Sequence, residues 1–362
     1  MRRPLTNEDV RRAAEAFQID GKAASIERFG SGHINDTFRL TDGRRYILQR
    51  LNTEIFAEPL LVIENIEGVT KFLRRKIEAA GGDPDRETLN LIPAHDGKSY
   101  YVDEDGNFWR MYLFIEGATS YDAVRRPEDF YNSAEAFGHF QHQLSDYPAQ
   151  TLHETIPAFH DTPKRYRDFT RALEEDVCHR AASVEKEIRF VQERAHEMGK
   201  AMEMLHRGEL PLRVTHNDTK LNNIMIDDKT GKAVCVIDLD TVMPGLSIFD
   251  FGDSIRFGAN TALEDEQDLS KVSLSLPLYE TYVDGFLTGC AGALTEQERR
   301  MLPWGAKLMT LECGMRFLAD HLQGDTYFQI HRENHNLDRC RTQFALVEDM
   351  ERKWTQMEKA VE

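Results

Sequence analysis

The chain has 362 residues, beyond the ~250 to 300 at which a single hydrophobic core stops growing, so two lobes are expected. Its formal net charge of −17 and pI near 5.3 exclude a generic nucleic-acid or anionic-membrane surface, which needs clustered Lys and Arg, and leave small molecules as the expected partners, with no oligomer implied. Five scattered cysteines (Cys178, Cys235, Cys290, Cys313, Cys340) without Cys-x-x-Cys spacing support neither a disulfide framework nor a zinc site, and Cys235 and Cys313 read as core.

The opening MRRPLTNEDVRR lacks the apolar centre of a signal peptide, and no run of ~20 apolar residues is present to span a bilayer, which predicts a cytoplasmic protein. Residues 7 to 18 read as a short amphipathic helix capped by Thr6 or Asn7. β-Prone runs at 25–29, 37–40, 45–51 and 108–115, broken by Gly30, Gly32, Gly43 and Gly106, predict an antiparallel sheet. Between them Leu60, Ile63, Val69 and Phe72 recur at helical spacing, so one helix packs on that sheet. From Pro127 onward the pattern is mostly helical, with hairpins inserted at 212–240 and long amphipathic helices near 272–288, 296–322 and 341–360.

The densest chemistry lies in VTHNDTKLNNIMIDDKTGKAVCVIDLDTVMPG, residues 214–245. His216, Asp218 and Asn223 form HxDxxxxN, and Asp238 and Asp240 follow the apolar run Val234 to Ile237, an order shared with kinase catalytic loops. Phosphoryl transfer asks mainly for an oriented acceptor hydroxyl and neutralised phosphate oxygens. Asp218 is therefore the candidate base, while Asn223 and Asp238 offer the oxygens that Mg²⁺ prefers. In an extended 234–240 segment Asp240 shares a face with Asp238, as a second ligand or a substrate contact. His216 reads as a loop organiser, and Asp227-Asp228 with Thr230-Gly231 as a turn.

That reading raises three N-terminal features. In FGSGHINDTF, residues 29–38, Gly30 and Gly32 free backbone N–H groups to approach a phosphate of ATP, and His33 and Asn35 add donors; a plain hairpin turn is the competing reading. YILQRLN, residues 46–52, occupies the strand where kinases carry a phosphate-binding Lys, so Arg50 or Gln49 must take its place, the two facing opposite sides. Glu64 or Glu67 on the next helix are candidate partners for Arg50, the alternative being exposed helix charges. Phe114 and Ile115 end the strand that leads into Glu116-Gly117 and are candidate adenine contacts.

Asp250-Phe-Gly-Asp253 is read as structural, Asp capping a helix and Asp253 with Arg256 bonding back to the loop. On LECGMRFLADHLQGDTY, Arg316, Asp320 and Tyr327 are candidate acceptor contacts, donors for hydroxyls and an aromatic for an apolar ring face. The competing reading takes Glu312, Arg316 and Asp320, spaced i, i+4, i+8, as a surface salt-bridge ladder.

The catalytic segment resembles the aminoglycoside phosphotransferase and choline kinase superfamily. GHINDTF, YILQRLNT, THNDTKLNNIMID, IDLDTVMPG, FDFGDSIRFGANTALEDEQDLSKV and LECGMRFLADHLQGDTYF are similar to the branch that phosphorylates the anomeric hydroxyl of N-acetylglucosamine or N-acetylgalactosamine. The resemblance implies an α+β, bilobal protein-kinase-like fold, a small antiparallel-sheet N-lobe at 1–115 carrying the nucleotide side and a large mainly helical C-lobe at 116–362 carrying the catalytic loop and sugar site. It also implies ATP with Mg²⁺, Asp218 as base, and Asn223 and Asp238 as metal ligands. Two other readings keep the sequence features but change the outcome: another small hydroxyl acceptor, or a catalytically dead nucleotide-binding scaffold, against which Asp218, Asn223 and Asp238 all stand.

Overall fold

The computed structural model describes residues 3–19, 25–30, 34–121 and 126–362. They divide into two compact units through which the chain passes more than once: Met1–Thr119 with Gln150–Ile156 and Met225–Met243, and Ser120–Ala149 with Pro157–Ile224 and Pro244–Glu362.

The first unit begins with helix α1, Asn7–Glu15, which Thr6 starts by a capping box: Thr6 Oγ1 accepts from the Asp9 N–H while the Asp9 carboxylate accepts from the Thr6 N–H. Strands β1 (Ser25–Arg28), β2 (Asp36–Asp42), β3 (Arg44–Arg50), β4 (Tyr101–Val102) and β5 (Phe108–Leu113) form an antiparallel sheet in the order β1-β2-β3-β5-β4. The two-residue period of these strands sorts their side chains. Phe38 and Leu40, Tyr46 and Leu48, and Trp109 and Met111 join Val10, Ala13, Ala14 and Phe17 of α1 in one core, each full burial being worth about 1.5 to 3 kcal/mol. Gln49 and Arg110, partners in the β3–β5 register, fall on the other face. Helix α2, Pro59–Ala79, opens on Pro59 and buries Val62, Ile63, Ile66, Val69, Leu73 and Ile77; it runs beyond the 60–73 stretch that apolar spacing marks. The short β4 has no sequence signal of its own, being two residues long.

The second unit is mostly helical, with helices Pro127–Gln143, Thr162–Glu175, Ser247–Gly258, Leu276–Cys290, Leu302–Leu322 and His335–Arg352 among its longer elements. The expected 296–322 helix is two, Glu296–Arg300 and Leu302–Leu322, with Pro303 seated in the first turn of the second, where its missing N–H costs nothing. Likewise 341–360 resolves into His335–Arg352 and Trp354–Ala360. Phe169, Val191, Leu311, Met315, Leu318, Cys340, Phe344 and Val347 fill a core between these helices. Ser247–Gly258 and Leu302–Leu322 cross closely because two glycines meet: a Cβ on Gly252 would lie 2.3 Å from the Gly305 carbonyl oxygen, and one on Gly305 2.3 Å from that of Ile248. That crossing fixes the helix whose acidic side chains hold the 216–219 loop.

Candidate active site

In the second unit, strand Arg213–Thr215 ends at buried His216, and the chain then bends through Asn217 at φ 64°. This left-handed turn leaves the N–H groups of His216 and Asn217 side by side, and Asp250 accepts both, at 2.9 and 2.8 Å. Gln141 Nε2 adds a third donor at 2.7 Å. Burial pushes the Asp250 carboxyl up from its ordinary value, against the pull of His216 and these N–H donors. One turn on, Asp253 accepts the Thr219 N–H at 3.2 Å and pairs with Arg256 at 2.8 Å. Thr219 Oγ1 donates to the Asp250 carbonyl at 2.6 Å, and Ser254 Oγ donates to the Thr219 carbonyl at 2.8 Å. Asp250 and Asp253 thus serve the loop, as expected of Asp253. Asp250 corrects the capping expectation: it stands inside helix Ser247–Gly258 and accepts the N–H groups of the 216–219 loop instead of capping its own helix.

The loop so fixed presents Asp218. Its Oδ1 is 2.6 Å from Lys220 Nζ, its Oδ2 accepts from Asn223 Nδ2 at 3.0 Å, and its N–H donates to His216 Nδ1 at 3.3 Å. His216, wedged between the rings of Phe137 and Phe140, is the loop organiser that its position implied. Asn223 also donates Nδ2 to the Asp218 carbonyl at 2.8 Å, so its amide nitrogen is committed and its oxygen is the end left for a hard cation. Lys220 is a site residue that sequence reasoning missed, although a cation two positions from the candidate base was the available signal. Although burial opposes its charge, Asp218 and Asp253 raise its pKa, so Lys220 is a fixed ammonium beside the carboxylate.

In the first unit the strand Ala233–Val236 stops short of Asp238, which takes a left-handed conformation (φ 59°, ψ 60°), and Leu239–Thr241 is a 3₁₀ turn. The two-residue period therefore does not reach Asp238 and Asp240, which corrects the shared-face argument. Asp240 is 4% exposed; its Oδ1 lies 2.5 Å from Arg110 Nη1, and its Oδ2 accepts from Asn35 Nδ2 at 2.7 Å. Burial works against the Arg110 charge, yet Asp240, with a smaller contribution from Asp238, holds the guanidinium pKa above its ordinary value. Asn35 Oδ1 accepts the Asn52 N–H at 2.9 Å, so both ends of that amide are engaged within the fold. The carboxylate of Asp240 is likewise engaged by protein, a correction to its substrate-contact assignment.

The other nucleotide-side candidates divide. Arg50 is buried and bonds Asp36 through Nε and Nη2 at 3.0 and 2.7 Å, with Nη1 on the Arg3 carbonyl and Asn107. Its partner is Asp36, not Glu64 or Glu67, which pair with His153 and Lys71, and its position in the sheet takes it away from a phosphate-binding role. Gly30 has φ 81°, as the β1–β2 turn requires, whereas Gly32 and His33 lie outside the described residues. Phe114 packs edge-on to Phe29 at 5.8 Å under the Arg45 guanidinium, and Ile115 is buried beside it in sequence.

Of the acceptor candidates, Arg316 and Tyr327 come together and Asp320 does not join them. The Arg316 guanidinium lies 5.4, 5.8 and 5.5 Å from the ring centres of Phe159, Tyr327 and Phe328, with Tyr327 exposed. Buried Asp320 accepts the N–H groups of Thr326, Tyr327 and Phe328 at 2.8 to 2.9 Å and Asn336 Nδ2 at 2.9 Å. Its carboxylate shapes the turn that carries Tyr327, which corrects its substrate assignment. The ladder reading fails as well, because Glu312 is buried and bonded to His160 and Thr162 at 2.9 and 2.6 Å.

A model of the phosphotransferase enzyme family matches residues 25–282. Among solved structures, an aminoglycoside phosphotransferase from Alicyclobacillus acidocaldarius superposes with a TM-score of 0.62 at 13% identity, over 100% of this chain and 98% of that one. A microcompartment-associated aminopropanol kinase gives 0.58 at 16%, covering 96% and 97%, and an amicoumacin kinase in complex with AMP-PNP and Ca²⁺ gives 0.59 at 14%, covering 96% and 94%. At such identities the likeness is one of fold, an antiparallel-sheet region followed by a mainly helical remainder. No helix among the described residues is long and apolar enough to cross a membrane.

Proposed function

We propose, from the premise that the chain belongs to the phosphotransferase enzyme family and is a small-molecule kinase, that its acceptor is the anomeric hydroxyl of an N-acetylhexosamine, giving the sugar 1-phosphate and ADP. The observation that carries the catalytic part is Asp218: an accessible carboxylate, 28% exposed, held between Lys220 and Asn223 on a loop clamped from behind by Asp250 and Asp253. It orients the acceptor hydroxyl and takes its proton as the oxygen attacks the γ-phosphate of ATP. Asn223 and Asp238 supply oxygen donors of the type Mg²⁺ takes, the amide by the end that Asp218 leaves over. When bound, the ion neutralises phosphate charge.

The acceptor assignment rests on the branch-specific segments and on Arg316. Among the described residues its guanidinium makes ring contacts and feels the nearby Glu312 carboxylate but makes no hydrogen bond or ion pair, so its donors are available to hydroxyls or an acetamide carbonyl, while Tyr327 offers a ring to a sugar face. Gly30 stays with the phosphate turn, and Phe114 with Ile115 stays with the adenine, in this reading. Another small hydroxyl acceptor is the second reading, favoured by fold neighbours whose names include an aminopropanol kinase and an aminoglycoside phosphotransferase. Cytoplasmic residence is part of the same proposal.

ADP release across a panel of N-acetylhexosamines, amino alcohols and aminoglycosides, followed by phosphorus NMR of the product, tests it. An anomeric phosphate is expected. Phosphate at another hydroxyl, or turnover confined to non-sugars, overturns the acceptor assignment; no turnover with any acceptor overturns the kinase reading in favour of a scaffold.

A further inference from the structure

The strand that carries the phosphate-binding lysine in kinases has Gln49 and Arg50 here, and neither is a free cation. Arg50 is committed to Asp36, Arg3 and Asn107 on the α1 side of the sheet. Gln49 donates Nε2 to Thr37 Oγ1 at 3.2 Å, and its Oε1 accepts from Arg110 twice, Nε at 3.0 Å and Nη2 at 2.8 Å. Arg110 stands directly across from Gln49 in the β3–β5 register and is 1% exposed. Its remaining nitrogen, Nη1, lies against Asp240.

We infer that Arg110 is this chain's substitute for the strand lysine: a positioning residue, displaced by one strand, that fixes Asp240 and thereby the conformation of the Asp238 segment for metal-bound nucleotide. The inference rests on the reading of Asp238 as a metal ligand.

Three features of the geometry carry it. An arginine fork has a fixed planar shape, so two bonds to one Gln49 oxygen fix the position of the guanidinium and with it the charge that stands beside Asp240. Nη1 stands 2.5 Å from Asp240 Oδ1 as a close ion pair without hydrogen-bond alignment, and Asn35, itself pinned by the Asn52 N–H, donates to Oδ2, so Asp240 is held from two sides. Asp238 sits two residues before in a left-handed backbone that a residue with a Cβ rarely adopts unless its surroundings impose it. A lysine on β3 would bring one point charge on a flexible stem; the Gln49–Arg110 pair brings the same charge at a fixed place. Because Arg110 is buried against Gln49 and Asp240, it acts through Asp240 and does not itself touch phosphate.

The test is nucleotide binding, with no acceptor present, measured by calorimetry for ADP and a non-hydrolysable ATP analogue with Mg²⁺ and with EDTA. Arg110→Met should weaken Mg-dependent binding by about 10- to 100-fold, as loss of a group that holds a ligating segment does, and change metal-free binding by less than about 3-fold. Adding Gln49→Lys to Arg110→Met returns a cation to the same face and should recover at least about 5-fold of the loss, since lysine's flexible stem replaces the charge without the fork. Folded Arg110→Met with wild-type Mg-dependent binding, or an equal loss with Mg²⁺ and with EDTA, overturns the inference. Wild-type binding that is indifferent to Mg²⁺ overturns it too. If Arg110→Met does not fold, Arg110→Lys carries the same comparison, an Mg-selective loss supporting the inference and an equal loss overturning it. Since no acceptor enters, a chain that binds as expected yet phosphorylates no hexosamine refutes the acceptor assignment and leaves Arg110 in place.

Discussion

Asp218 and Asp240 have the same partner set, one cation and one side-chain amide, and opposite surroundings. Asp218 has Lys220 and Asn223; its side chain is 28% exposed and that of Lys220 36%. Asp240 has Arg110 and Asn35, with side-chain exposures of 5% and 1% for the acid and the arginine. An accessible ion pair contributes only about 0 to 1 kcal/mol, so in the proposed function Asp218 exchanges Lys220 for the acceptor hydroxyl at little cost. Removing one partner of a buried pair costs about 3 to 5 kcal/mol, because the other charge is left without water or counter-ion. Exposure, more than residue type or partner, separates the carboxylate proposed to react from the one that holds a backbone in shape.

The comparison breaks most visibly at Asp240. Asp240→Ala leaves Arg110 buried and unpaired and should lower unfolding stability by about 3 to 5 kcal/mol, read from chemical denaturation. A loss below about 1 kcal/mol would place Asp240 in the same class as a surface carboxylate. Asp218→Asn should do the reverse: turnover falls by ~10² or more, about 2.7 kcal/mol in the barrier, while the melting temperature and nucleotide affinity stay near wild type. Retained turnover would remove Asp218 as base.

Much of the loop was legible because its members lie close along the chain: His216, Asp218 and Asn223 fall within eight residues, and a helix carrying Asp250 and Asp253 follows, although Lys220 in their midst was missed. The sheet was legible from alternation and glycine breaks. The Asp240 surroundings were not, since Gln49 and Arg110 are 61 residues apart and meet only through strand register, which no local pattern encodes. Asp320 misled for a different reason. Its i, i+4, i+8 spacing with Glu312 and Arg316 describes one helix face, but the face is buried for both acids, and the carboxylate of Asp320 is taken by N–H groups just beyond the helix end. The interleaved units are illegible in the same way, because the return of 225–243 to the first unit depends on pairings such as Ala118 with Asp227.

Arg316 sharpens the contrast from the acceptor side. Ringed by Phe159, Tyr327 and Phe328 and neither hydrogen-bonded to nor ion-paired with a carboxylate among the described residues, it should matter to binding and little to stability. Arg316→Ala is expected to raise the KM for the acceptor by the ~1 to 3 kcal/mol of an unpaired polar group, and to leave that for ATP unchanged. A lowered melting temperature with unaltered acceptor kinetics would return Arg316 to the packing of its aromatic neighbours.

A third carboxylate supplies the baseline for both. Asp349, on helix His335–Arg352, accepts from the Leu274 N–H at 2.7 Å, Ser273 Oγ at 2.8 Å, Lys353 at 2.7 Å and Arg352 at 3.0 Å, and nothing links it to chemistry. Burial pushes its pKa up, but these donors outweigh it and bring the carboxyl down to about 2. A folded-state pKa below the unfolded value of about 3.9 means that its contribution is complete above that pH and is lost as pH falls through about 2. Asp349→Asn should therefore cost on the order of 1 to 2 kcal/mol at neutral pH, with the deficit closing between about pH 4 and 2 in acid denaturation followed by circular dichroism. Turnover at neutral pH should be untouched. A kinetic defect here would mean that loss of any well-bonded carboxylate disturbs the catalytic loop, and the separation drawn between Asp218 and Asp240 would lose its ground.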